Sequence, residues 1–327
     1  MAQKFTKDVI KRSDGIGGFQ GVPAMCGESS YDIARRNGFA GTEAEFLAQF
    51  APDALVQGVQ QLKSQVAAIT PSKCAAAHNG IWGGRDLTNK YTIDQICNMI
   101  KAGTFDDLFI GDYIQVTINT SLGGTEVVKL YFAEFDTFLQ NGDAALTRHH
   151  AVMVPKDCFN KTAHMNPTND TTGAYFSSVM HATTLPIYAA ALQSALNNHI
   201  LTYRSLLSTS MNKDLDSMGG PGWKGASNGW EWKDVQLRLM SEPNLYGTVV
   251  CGSSLYDVGC NNTQFALFQL NPATKIAGLG NGGGRHWYWL SAVTSATGFA
   301  YCGSYGHSDS YGYASLLTGV RPYFLIG

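Results

Sequence analysis

The C-terminal stretch from Arg285 to Gly327 interleaves two kinds of sequence, and together they restrict the folds open to this chain more than any other segment. One kind is framework. Trp287, Trp289, Leu290, Val293, Ala296, Phe299 and Ala300, followed by Gly319-Val-Arg-Pro-Tyr-Phe-Leu-Ile326, supply the bulky apolar and turn residues that a packed β-structure needs. The other kind is filler: from Tyr301 to Tyr313, Tyr, Ser, Gly, His and Asp follow one another with no helical or strand period. A surface rich in Tyr, Ser and Gly has the chemistry of an antigen-combining loop, because Tyr offers rigid amphipathic contact area at little entropic cost while Ser and Gly adapt. The combination predicts a binding face mounted on a rigid β-support. Its expected contact residues are Tyr288, Ser291, Thr297, Gly298, Tyr301, Gly303, Ser304, Tyr305, His307, Asp309, Tyr311 and Tyr313. The plainer alternative is a surface loop of no special origin.

From Ser291 to Gly327 the chain lacks Lys, Glu, Gln, Met and Trp, all of which recur before it. Codons descended from an Asn codon by substitution at its adenines reach Tyr, Ser, Gly, His, Asp, Thr, Ala and Cys, and do not reach the missing types. Framework and filler together resemble the C-terminal variable region of the target proteins of diversity-generating retroelements. That resemblance implies a C-type-lectin-like fold carrying interchangeable contact residues at about 285–327.

At 327 residues the chain has room for one large domain and a smaller module, and 44% hydrophobic residues are enough for an ordinary core. A formal net charge of −2 offers no global basic field to gather nucleic acid or anionic lipid. Neither a nucleic-acid partner nor membrane insertion is expected, since no stretch is apolar enough for a span and Met1-Ala-Gln-Lys-Phe-Thr-Lys7 has no long apolar run behind it. Cys26, Cys74, Cys97, Cys158, Cys251, Cys260 and Cys302 are odd in number and include no Cys-x-x-Cys pair, so neither a disulfide framework nor a zinc site is indicated. They read as small buried hydrophobes, with Cys251 and Cys260 as a near pair able to meet across a hairpin.

Residues 1–28 are mixed and Gly-rich and read as an extended arm. Between Ser30 and Phe50 the pattern predicts two short helices: Ser30 caps the first, Asn37-Gly38 ends it, and Thr42 with Glu45 forms a capping box for the second. The wording from Tyr31 to Leu47, above all Asn37-Gly-Phe-Ala-Gly-Thr-Glu-Ala-Glu45, resembles a short module near the N-termini of phage tail-fibre and baseplate-attached proteins. Leu55, Val59, Leu62, Val66 and Ile69 then fall at heptad spacing over about two heptads, a coiled-coil seam or else a plain amphipathic helix. Val and Leu at these positions lean toward two strands. Tail fibres of the resembled class are threefold, so a homotrimer is the expectation from resemblance. The division is an attachment arm over 1–28, a helical hairpin and stem over 29–70, and a lectin-like domain over 71–327.

After Thr70-Pro-Ser72 the chain reads as α+β. Helices are expected over Thr92–Lys101, from Pro186 to about Asn198, and from about Lys233 to Met240 with Pro243 ending it. Asp112–Asn119 and Glu126–Phe132 should form a hairpin across Gly123-Gly124, while Thr248–Cys251 and Phe265–Leu270 read as buried strands. Strand alternation puts Trp287 and Trp289 in the core and turns Tyr288 to the display face. Gly319–Pro322 is expected to lead the closing strand, with Arg321 anchored beneath the loop by a carboxylate or carbonyls. Phe105–Asp112, His149–Pro155, Gln264–Pro272 and Gly319–Pro322 resemble segments of phage-borne variable proteins, which extends the resemblance over most of the chain.

His149, His150, His164 and His181 carry imidazoles, and Asp106, Asp107 and Asp112 carboxylates, but no His-Glu-x-x-His or EF-hand spacing joins them. No metal or other cofactor is expected. His149 or His150 should be hydrogen-bonded at a strand start and Asp112 at a turn. The lectin-like fold also carries formylglycine-generating oxidases, which would need cooperating thiols, and nothing around Cys251 and Cys260 suggests a depressed thiol pKa. Gly303-Ser-Tyr-Gly306 is one residue short of a nucleophile elbow, so no catalytic residue is assigned. The resemblance implies a non-enzymatic adhesin of the phage virion tail. It would attach to a tail or baseplate protein through its N-terminal region and bind a host cell-surface protein or glycan. An enzyme on the same fold and a purely structural fibre segment are the alternatives.

Overall fold

The computed structural model describes residues 11–13, 19–21, 29–49, 52–69, 74–212, 227–252 and 263–327. It is a mixed α and β chain, 26% helix and 32% strand, compatible with α+β. The chain divides into two compact units, Met1–Pro71 and Ser72–Gly327.

In the first unit β1 (Lys11–Ser13) and β2 (Phe19–Gly21) pair antiparallel; the rest of the expected arm lies outside the described residues. Helix α1 (Ser30–Arg36) is capped by Ser29, one residue earlier than expected, because Asp32 stands three places on and its carboxylate reaches back to the Ser29 amide. The Asn37 side chain donates to the Ile33 carbonyl, and Gly38 takes a φ of +99°, which ends the helix. The Thr42–Glu45 box opens α2 (Glu43–Ala48) as expected. Tyr31, Phe39 and Phe46 pack their rings together between the two helices. Helix α3 (Pro52–Ile69) is continuous, and Val59 and Leu62 stand exposed on it. The side chains of Leu55, Val66 and Ile69 lie outside the described residues.

The second unit contains, in chain order, α4 (Ala75–Asn79), α5 (Ile93–Lys101), β3 (Tyr113–Thr120), β4 (Gly124–Phe135), β5 (Ala151–Pro155), α6 (Leu185–Ala195), β6 (Tyr203–Met211), β7 (Ser227–Val235), β8 (Leu237–Leu239), α7 (Glu242–Tyr246) and α8 (Ala266–Leu270). They are followed by β9 (Ala277–Gly278), β10 (Arg285–His286), β11 (Tyr288–Ser295), β12 (Gly298–Cys302), β13 (Ser308–Tyr313) and β14 (Pro322–Ile326). The Thr92–Gln95 capping box starts α5, and Ile96, Cys97 and Ile100 line its buried face. The expected hairpin forms: β3 and β4 run in register from Tyr113 opposite Tyr131 to Thr120 opposite Gly124, whose φ of +70° suits a residue without Cβ.

The main sheet is five-stranded and antiparallel in the order β3-β4-β5-β14-β8. The last strand of the chain therefore sits inside the sheet, with Phe324 opposite both Met153 and Leu237. All of β14 is buried, which explains its unbroken apolar run. Beside it, Phe138 and Tyr323 stack with centroids 5.8 Å apart, and Phe265 meets the same tyrosine edge-on.

Three expected elements differ. Residues 233–235 and 237–239 form strand, because β7 pairs with β6 from Tyr203 opposite Val235 and β8 joins β14. Pro243 opens a helix instead of ending one: it sits in the first turn of α7, where its fixed φ is suitable, behind a Ser241–Asn244 capping box. Thr248–Cys251 is not a strand, since the Val250, Cys251 and Gly252 amides all turn to the Glu242 carboxylate. The Phe265–Leu270 run is helical from Ala266; so short an apolar run does not distinguish a buried helix from a buried strand. Helix α6 ends at Ala195, short of Asn198, and follows a π-helical turn over Met180–Thr184.

Candidate functional site

The Tyr-rich segment is a β-hairpin. Strand β12 lies between β11 and β13, with Tyr301 opposite both Trp289 and Asp309. The expectation of an aperiodic loop is corrected here. Small and polar residues give no hydrophobic alternation, and the strand is held by backbone pairing instead. At the tip the Gly303 amide donates to the His307 carbonyl, the Gly306 amide donates to the Gly303 carbonyl, and Gly306 adopts a φ of +84°.

Beneath the hairpin is a rigid anchor. Trp289 is fully buried and its indole N–H donates to the Ala163 carbonyl at 2.8 Å. Arg321 is also fully buried. Its Nε donates to the Pro155 carbonyl at 2.8 Å, Nη2 to the Thr274 carbonyl at 2.9 Å, and Nη1 to the Tyr288 hydroxyl at 3.1 Å. Carbonyls and a phenol thus hold the guanidinium, which offsets the cost of burying it. The Tyr288 hydroxyl donates in turn to the Lys275 carbonyl, and burial pushes its pKa well above the ordinary phenol value.

This anchor overturns several expected contacts. Tyr288 is in the core, while Trp287, expected there, is 47% exposed. Trp287 precedes β11, and every position of β11 itself is buried, so strand alternation does not relate the two residues. Ser291, Gly298, Tyr301 and Gly303 are buried as well and are not on the outer surface. Gly298 and Gly303 serve as spacers: a Cβ would meet the Gly312 carbonyl oxygen at 2.8 Å from Gly298, and the His307 ring at 2.3 Å from Gly303. Tyr301 stacks on Trp287, centroids 5.0 Å apart and planes 14° apart. Burial, then the neighbouring Asp309, pushes its hydroxyl up to about 12.

The outward set is smaller. Tyr305 is 75% exposed, Tyr313 and His307 are exposed, and Thr297, Ser304 and Asp309 are half-buried. The side chain of Tyr311 lies outside the described residues. Beside this rim a cleft of about 250 Å³ is lined by Arg285, Trp287, Tyr301, Leu316 and Leu317 among others. Arg285, Leu316 and Leu317 were not expected to contribute. Exposure of a leucine pair leaves no sequence signal, whereas Trp287 was visible but assigned to the wrong side. Arg285 lies over the Tyr305 ring, 5.8 Å from its centroid.

Glu242, buried at the start of α7, ties the hairpin down. Its carboxylate accepts from the Val250, Cys251 and Gly252 amides and from the Ser308 hydroxyl at 2.6 Å. Cys251 is a free thiol pushed up to about 11, by burial first and then by Glu242; Cys260 lies outside the described residues. His150 is buried just before β5, where its Nε2 accepts from the Phe138 amide and burial lowers its pKa, while His149 Nδ1 lies 2.7 Å from Asp136. Asp112 is fully buried and accepts from Arg85 and from the Phe109 amide at its turn. Among the described residues no group of three or more His, Cys, Asp or Glu is placed to hold a metal, and no helix is long and apolar enough to cross a membrane.

No protein-family model, curated protein or solved structure matches the chain. The functional reading therefore rests on this site and on the sequence that builds it.

Proposed function

We propose that the chain is a phage tail-fibre or tail-tip adhesin. Its C-terminal unit, built as a C-type-lectin-like domain with a diversified edge hairpin, binds a host cell-surface protein or glycan. The observation that carries this reading is the contrast within one small sheet: Tyr305, His307 and Tyr313 stand exposed on a hairpin whose support, Tyr288, Trp289 and Arg321, is wholly buried. Exposed side chains can change with little effect on stability, while tyrosines supply contact area at low entropic cost. On this reading the receptor face comprises Thr297, Ser304, Tyr305, His307, Asp309 and Tyr313, joined by Trp287.

The N-terminal unit would attach the chain to the virion tail, and α3 would bring copies together as a homotrimeric coiled coil. Exposed Val59 and Leu62, three residues apart on one helix, support such a seam. Several copies on one fibre would gain by avidity what a single face lacks. A thiol held near 11 is no ready nucleophile, which favours binding over catalysis at the Cys251–Ser308 corner.

Tyr305→Ser tests the proposal. Its melting temperature should match the parent within the effect of about 0.5 kcal/mol usual for surface changes, while adsorption to host cells falls sharply. Adsorption unchanged in both Tyr305→Ser and Tyr313→Ser would refute the proposal.

A further inference from the structure

We infer that the cleft beside Trp287 is a subsite for a carboxylate-bearing pyranose, the acidic sugar of a surface glycan. This inference rests on the adhesin reading above and gives its ligand a chemical class. The cleft, at about 250 Å³, is smaller than the pockets that take drug-sized ligands and is scaled to a single ring. A peptide segment would ask for a longer groove.

The chemistry of the lining is specific. Tyr301 covers one side of the Trp287 indole at an interplanar angle of 14°, so the ring is held as a fixed platform while 47% of the residue stays open. The C–H face of a pyranose lies flat against such an aromatic surface, gaining dispersion along the whole ring. The described residues of the lining include the Arg285 guanidinium and no carboxylate. Arg285 makes no ion pair among the described residues and rests over the Tyr305 ring, which leaves its fork available for a bidentate carboxylate. Asp309 is not part of this lining.

A separate observation points the same way. His286 lines the cleft, and its Nε2 is buried without a hydrogen-bond partner. Burial also lowers the pKa of this imidazole, which favours the neutral ring. Nε2 has no exposed surface, so it meets a sugar hydroxyl, which can both donate and accept, only when the imidazole turns toward the cleft. Arg285, His286 and Trp287 precede the window that lacks Lys, Glu, Gln, Met and Trp. Tyr301, Ser304, Leu316 and Leu317 of the same lining fall within it, so the cleft is built from both parts of the C-terminal sequence.

The full chain is titrated with sialyllactose, with a galacturonate trisaccharide, and with the carboxyl-reduced form of each, followed by tryptophan fluorescence and saturation-transfer NMR. At least one acidic sugar should bind saturably, and its reduced form should bind about tenfold more weakly, the loss expected for one charge-assisted contact. Arg285→Ala should bring the acidic sugar to the level of the reduced one, with Arg285→Lys between them. Trp287→Ala should abolish binding of both with melting unchanged. Equal binding of acid and reduced forms, retained binding in Trp287→Ala, or no binding of either acidic sugar at millimolar concentration overturns the inference. Adsorption of Tyr313→Ser, a residue outside the cleft lining, reads the adhesin proposal separately. A chain that adsorbs through Tyr313 but ignores acidic sugars loses only the subsite; one that binds them yet adsorbs to no cell loses the adhesin reading alone.

Discussion

Trp287 and Trp289 are separated by one residue and have opposite fates. Trp289 fills the space between the hairpin and the chain around Ala163, and its indole N–H has a carbonyl partner there. Trp289→Ala should lower stability by about 3–5 kcal/mol, the range for removing a large buried aromatic side chain. Trp287→Ala, on the half-exposed neighbour, should stay near the surface-substitution range of about 0.5 kcal/mol. Denaturant titration of the two variants checks the contrast, and equal losses would contradict it. The tryptophans themselves were legible as β-framework residues, but which of them faces solvent was not. Trp287 falls just before β11, and β11 is buried at every position, so the alternation on which that inference depends does not run through both indoles.

At the level of elements, the β12–β13 hairpin is set by close backbone approach more than by apolar side chains. A Cβ on Gly312 would meet the Phe299 carbonyl oxygen and Trp289 Cζ3, each at 2.5 Å, and neither atom is free to move far. Gly312→Ala should therefore cost about 1–3 kcal/mol, as overpacking does, and weaken binding by displacing β13. Gly284→Ala, where a Cβ would meet nothing within 4 Å, serves as the neutral control. A cooperative unfolding curve at the parental midpoint for Gly312→Ala would show that the strand has slack to give. The capping box at Thr42, the helix opening at Thr92 and the β3–β4 hairpin were readable because their signals are local. Strand β7 was not, because what makes it a strand is its pairing with the distant β6.

For the molecule as a whole, β14 closes the main sheet from the very end of the chain, between strands that precede it by many residues. Pairings of such sequence separation slow folding and make stability a global property. Its pH dependence should carry the mark of Glu134 on β4. Burial raises this carboxyl from 4.5 to about 7, and one of its oxygens has no hydrogen-bond partner. The folded state therefore prefers the protonated form. The stability contributed is complete below pH 4.5 and lost as pH rises through about 7. His181, lowered to about 4 by burial, gives the opposite slope between pH 4 and 6.5, so the informative quantity is the difference between parent and Glu134→Gln. That variant should gain on the parent by an amount on the order of 3 kcal/mol between pH 4 and pH 8. A pH-independent difference in urea titrations would rule out a buried neutral Glu134.

What the sequence determined by itself is what short-range chemistry encodes. Thr42 and Thr92 stand where helices begin, Ile96, Cys97 and Ile100 share the buried face of α5, and tyrosine is concentrated with Ser and Gly near the C-terminus. The anchoring of Arg321 was also legible, since a cation in an apolar closing strand must find acceptors. Only the tertiary structure decided that Tyr288 is buried while Trp287 is open, that the tyrosine segment is an edge hairpin, and that Arg285 and Leu317 join the same cleft. Those outcomes depend on which distant strands and carbonyls arrive on each side of a residue, and no local pattern in the chain records that arrival.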